Sequence, residues 1–119
     1  MTNISNTENL WRRIFFKDPN YVKDDGSITS LAFRPRSADN NQLSVDREHL
    51  ADYHTSLQDA DRFRIGALSA AVPLDDLGMN VVSDPLPDND AHALICGDFS
   101  KAQCRKLAAS AVIIAHQKR

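Results

Sequence analysis

From Leu10 to Phe16 the sequence LWRRIFF alternates along a strand, so that Trp11, Arg13 and Phe15 share one face and Leu10, Arg12, Ile14 and Phe16 the other. Phe63, Ile65 and Ala67 alternate with Arg62, Arg64 and Gly66 and run into the apolar Leu68 to Val72, which predicts a strand over about 63–71. The β-branched Val81 and Val82 predict a third strand over 79–83, ending where Pro85 forces Asp84 towards an extended backbone. A turn follows in Pro85 to Asp90, and the apolar run from Ala91 to Cys96, closed by Gly97, predicts the strand that completes a hairpin. Residues 28–33 read as one more strand, with at most a two-residue fragment at Tyr21 and Val22.

Two segments carry helical spacing instead. Asp46 can cap a helix whose Leu50, Tyr53, Leu57 and Ala60 form a stripe. Ser100 opens a second helix, with Gln103 at the capping-box spacing and Cys104, Leu107, Ala111 and Ile114 as its apolar face. The apolar run from Ala111 to Ala115 serves a strand as well as a helix. Pro73 and Gly78 bracket one further helical turn. The expectation is a single compact α+β domain over 10–119, a mainly antiparallel sheet of about five short strands covered by two helices, behind a polar, frayed segment over 1–9. Arg34 to Gln42 reads as the longest irregular loop, of the kind that carries function in compact domains.

The words DPLPDNDAHALICGD, a following KLA helix, and LSVDR downstream of Ala32-Phe33 resemble a family of small bacterial proteins with an LSVD…DPLPxNxAHA pattern. The resemblance implies one compact domain over nearly the whole chain and implies no activity. A second likeness, of Leu10 to Arg13 and the Ser-Ile-Thr-Ser that follows, is to the opening of RES-type and other ADP-ribosyl-transfer folds. It implies a small nucleotide- or NAD-handling enzyme, although no glutamate lies beyond Glu48.

Composition narrows the function classes. A hydrophobic fraction of 42% and a charged fraction of 25% over 119 residues are ordinary for one globular core. The net charge of −2 opposes a chain built to coat nucleic acid. No apolar run approaches a membrane span, and the start MTNISNTENL has no signal-like pattern, so the expected location is cytoplasmic. Charge is nonetheless uneven: Gly66 to Asp98 holds six aspartates and no Lys or Arg, whereas Phe99 to Arg119 holds five Lys and Arg and no acid. Lys101, Arg105 and Lys106 lie off the apolar stripe, and His116, Lys118 and Arg119 suit the negative end of a helix dipole.

Catalytic signatures are sparse. His49 and His54 lack a helix-face metal spacing, so no metal and no cofactor is expected. Cys96 and Cys104 have no CxxC spacing and read as reduced packing residues. On a strand His92 and Cys96 stand about 13 Å apart, too far for a nucleophile and its base. His92, beside Asp88 and Asp90, is either a base held by a carboxylate or a histidine tying down its own turn. The expected function is a non-enzymatic protein-interaction module, antitoxin-, immunity- or regulatory-subunit-like. Its partner would meet a sheet edge or the acidic surface of Asp75, Asp76, Asp84, Asp88 and Asp90. The alternative is a binder of a phosphate-bearing small ligand or RNA through arginine forks, with Arg13 and Arg34 first, His92 next and Trp11 as a stacking surface.

Overall fold

The computed structural model describes residues 4–36 and 41–114. Its centre is a six-stranded antiparallel sheet in the order β4-β5-β2-β1-β3-β6. The strands are β1 (Asn9–Phe15), β2 (Gln42–Arg47), β3 (Phe63–Ser69), β4 (Asn80–Ser83), β5 (His92–Cys96) and β6 (Val112–Ile113). Helix α1 (Tyr53–Leu57) and helix α2 (Lys101–Ser110) complete the α+β arrangement.

Alternation in β1 splits the core in two. Leu10 and Ile14 join Leu43, Val45, Leu68, Val81, Ala93 and Ile95 in the larger core, closed by Phe33 and by Leu107 of α2. Trp11 and Ile65 point the other way, into a smaller cluster with Tyr53 and Leu57 of α1. Each core therefore belongs to one sheet face, as the period of two requires. The apolar side chains of α1 cover the second face over β1 and β3, and Val82, Leu94 and Cys96 on β4 and β5 remain partly exposed.

Several expectations are corrected. The strand expected over 28–33 is a 3-10 turn, Ser30–Phe33, with Ile28 in an isolated bridge to Val22 and packed against the larger core. Its Ala32 and Phe33 plug the larger core, and tertiary burial outweighs the β-propensity of Ile28 and Phe33. Asp46 caps no helix: it lies in β2, where Leu43 and Val45 alternate with Ser44 and Asp46. The cap is Asp52, whose carboxylate accepts from the Thr55 amide at 3.0 Å, and Leu50 is 48% exposed on a 3-10 turn before it. Nor is the start frayed throughout, because Ile4 is 3% exposed and its amide donates to the Val81 carbonyl at 3.1 Å. Ser100 caps α2 as expected, accepting from the Gln103 amide at 3.2 Å; the Gln103 side chain instead donates to the Leu77 carbonyl. The run after Ala111 is the strand β6, paired with β3. His116, Lys118 and Arg119 lie outside the described residues, as does part of the loop after Arg36.

Candidate functional site: a cleft between α1 and the β4–β5 turn

The ladder between β1 and β2 holds Leu10 against Arg47 and Trp11 against Asp46, and beyond that point no further pair forms. By contrast β1 stays paired with β3 from Asn9 to Phe15. Arg12 fills part of the gap, its Nη1 donating to the Ser44 carbonyl at 2.9 Å and its Nε to the Ala32 carbonyl at 3.1 Å. Where the strands part, a cleft of about 310 Å3 opens on the α1 side of the sheet. Its floor carries Trp11, Arg13, Ser44, Asp46 and His92; Thr55, Ser56 and Gln58 form one wall, and Leu86, Asp88 and Asn89 the other.

Both walls are tethered to one carboxylate. Asp46 accepts from the Ser56 hydroxyl at 2.6 Å and from the Asn89 amide at 2.9 Å. The DPLPDND stretch supplies the second tether: Leu86 and Asn89 exchange backbone hydrogen bonds at 2.9 and 3.0 Å around Pro87-Asp88, a tight turn with proline at its favoured second position. Asn89 also accepts from the Ala91 amide through its side-chain oxygen at 3.1 Å, so its amide group is held at both ends. The first wall ends where the chain leaves α1 through Gln58, at φ +66°, a conformation uncommon for a residue with a Cβ.

Arg13 is exposed on this floor, with its guanidinium 5.1 Å from the centre of the Phe63 ring. Arg62 approaches the same ring at 4.9 Å, so two guanidinium groups share one aromatic side chain. Among the described residues Arg13 forms no hydrogen bond or ion pair, whereas Arg12, Arg47 and Arg64 spend donors on carbonyls or on Glu8. Trp11 is 9% exposed and donates its indole N–H to Glu48 at 3.1 Å, with Tyr53 edge-on at 6.1 Å. It therefore packs the cleft floor and does not offer an open stacking face.

His92 opens β5, and its ring is held at both nitrogens. Nδ1 lies 2.9 Å from the Asp84 carbonyl oxygen and 3.1 Å from the Asp84 carboxylate; Nε2 lies 3.1 Å from the Ser44 hydroxyl. Both Asp84 groups only accept, so in the neutral imidazole Nδ1 carries the proton and Nε2 accepts from Ser44. Cys96 takes no part. Burial, reinforced by the negative Asp84, pushes its thiol upward, and burial does the same to Cys104.

The cleft thus brings together Arg13, Trp11, His92 and Asp88. Arg34 lies elsewhere, lining surface hollows with Leu31 and Phe99 beside α2, so the two leading arginines do not converge. The acidic residues also divide. Asp75 and Asp76 are exposed on a π-helical turn, where Asp75 accepts from Asn6 at 3.0 Å; Asp84 holds His92; Asp88 edges the cleft; and Asp90 is exposed on the turn. The sequence analysis did not single out Ser44 or Ser56, and it gave Asp46 a different role, as a helix cap. The alternation of QLSVD was the available signal, since it sets Ser44 and Asp46 on one strand face. Among the described residues no group of three His, Cys, Asp or Glu side chains is placed to hold a metal ion, and no helix is long and apolar enough to cross a membrane. Comparison of the chain with protein-family models, curated proteins and solved structures finds no match.

Proposed function

We propose that the protein binds a small polar ligand in this cleft and holds an anionic group of it, phosphate or carboxylate, with Arg13. The observation that carries the reading is a guanidinium with no hydrogen-bond or ion-pair partner among the described residues, on the floor of a walled cleft beside hydroxyl, amide and imidazole groups. Five-donor forks suit planar or tetrahedral oxyanions, and the surrounding Ser44, Thr55 and Gln58 supply further polar contacts. A volume of about 310 Å3 lies at the small end of ordinary ligand sites, roughly 300–1,000 Å3, and suits a mononucleotide or a sugar phosphate better than a dinucleotide. The protein-interaction reading finds less support, because two aspartates of its acidic face are engaged locally, Asp75 by Asn6 and Asp84 by His92.

Titration calorimetry with AMP, ribose 5-phosphate and inorganic phosphate tests the proposal. Arg13→Ala is expected to weaken binding about 10- to 100-fold, the loss of a charged hydrogen-bonding partner, and Arg34→Ala to leave it unchanged. Absence of binding by the folded wild type, or equal affinity of the Arg13→Ala protein, removes the reading and returns the case to protein interaction.

A further inference from the structure

Ser44, His92 and Asp84 come from three places in the chain, and the sheet sets them in line: hydroxyl to Nε2 at 3.1 Å, Nδ1 to carboxylate at 3.1 Å. We infer that Ser44 is a nucleophile for acyl transfer, that His92 is its general base, and that Asp84 is the positioning residue that holds the imidazole.

Three observations carry this. The hydrogen bond from Ser44 to His92 lies within the reach required of a nucleophile and its base, and the Asp84 oxygens select the tautomer that leaves Nε2 free to take a proton. Ser44 is exposed and lines the cleft, so an acyl group can reach its hydroxyl, whereas the His92 side chain is only 14% exposed and its ring is held on both sides. The alignment is also built into the sheet. His92 faces Asp46 across the β2–β5 ladder, and Ser44 lies two residues along β2 on the same face, a diagonal neighbour within side-chain reach. A histidine needed only to pin its own turn would require the Asp84 contacts and not the second bond, across the sheet, to an exposed serine.

The step balances without a further reactant than water. Ser44 Oγ adds to the carbonyl carbon of an ester as its proton passes to His92 Nε2, and the negative charge gathers on the carbonyl oxygen. We assign that oxygen to Arg13, which lines the same cleft as Ser44. Collapse breaks the bond to the alcohol oxygen, which takes the proton from the imidazolium and leaves an acyl ester on Ser44. Water, deprotonated by the same nitrogen, then releases the carboxylic acid and restores the serine. The substrate class is a small carboxylic ester. The inference shares the cleft with the ligand-binding reading above but has a separate readout, so either can fail alone.

The test uses the intact protein with a fluorophosphonate probe, followed by peptide mass mapping, and p-nitrophenyl acetate for turnover. One adduct on Ser44 is expected. Ser44→Ala, at an exposed position, should fold normally and lose both the adduct and turnover. His92→Gln should slow turnover by about 10²- to 10⁴-fold; Asp84→Asn, which keeps the 2.9 Å main-chain carbonyl contact to Nδ1, should slow it less, lowering kcat at unchanged KM. A folded wild type that takes no label, a label elsewhere than Ser44, or labelling of Ser44 that survives in a folded His92→Gln protein at the wild-type rate overturns the inference; an Asp84→Asn protein with wild-type turnover overturns the positioning role of the carboxylate. Labelling of Ser44 in a protein that binds none of the phosphate ligands supports it all the same.

Discussion

Single side chains set the cleft, and Asp46 is the clearest case. Its two oxygens hold Ser56 on one wall and Asn89 on the other. Ser56 is 6% exposed, so removing the acceptor leaves a buried hydroxyl in need of a new partner. Asp46→Ala is expected to cost about 1–3 kcal/mol in a denaturant melt and to loosen both walls, read as faster amide exchange at Thr55 and at Asn89. Unchanged stability and exchange would show that the walls stand without the tether. Cys104 is the buried packing residue that the sequence suggests, whereas Cys96 is only half-buried. Both thiols are free, and burial raises both, which favours the protonated, weakly reactive form.

At the scale of elements, local signals succeed where burial agrees with them. The hairpin of β4 and β5, the alternating β1 and β3, and the Ser100 cap of α2 were all legible, because strand alternation, turn formers and a capping hydroxyl act over a few residues. Helix α2 docks through Cys104, Leu107 and Ala108, with Leu107 fully buried in the larger core. Leu107→Ala is therefore expected to cost about 2–4 kcal/mol and Ser100→Ala about 1 kcal/mol, both measured by urea denaturation. Equality of Leu107→Ala with wild type would mean that α2 does not dock by that stripe. Local signals fail at Asp46 and Asp52. Both can cap, and only the demand for β2 between β1 and β5 assigns the cap to the second.

Across the whole molecule, the start of the chain is stitched to the middle of the sheet. Glu8 meets Arg47 with two bonds, 2.8 and 2.9 Å, each side chain only 16–17% exposed. The hydrogen bond from Arg47 and its charge outweigh burial and hold the Glu8 carboxyl below its ordinary value of 4.5. A carboxyl with a lowered folded-state value stabilises the fold fully above about pH 4.5, and this contribution fades as pH falls through the lower folded value. Glu8→Gln is thus expected to lose about 1 kcal/mol near neutrality and to show a shallower fall in stability than wild type between about pH 5 and 3. Identical pH profiles for the two proteins would remove the pair from the acid sensitivity of the fold. The larger-scale feature is the parting of β1 from β2, with Arg12 spanning the gap, since this opening admits Arg13, Ser44 and His92 to one space.

The amino-acid sequence carries the α+β class, the strands β1, β3, β4 and β5, the turn before His92 and the Ser100 cap, because each depends on periodicity or on hydrogen bonds within a few residues. It also singled out Arg13 and His92 as polar groups worth following. That Arg13 and Arg34 stand apart, that Trp11 is packed, and that Ser44 meets His92 across β2 and β5 emerges from strand pairing and burial. The physical reason is register. Residues 48 apart in the chain become neighbours only when two strands pair at one offset, and a shift of one residue would turn Ser44 and Asp46 into the core and bring Leu43 and Val45 out to the cleft.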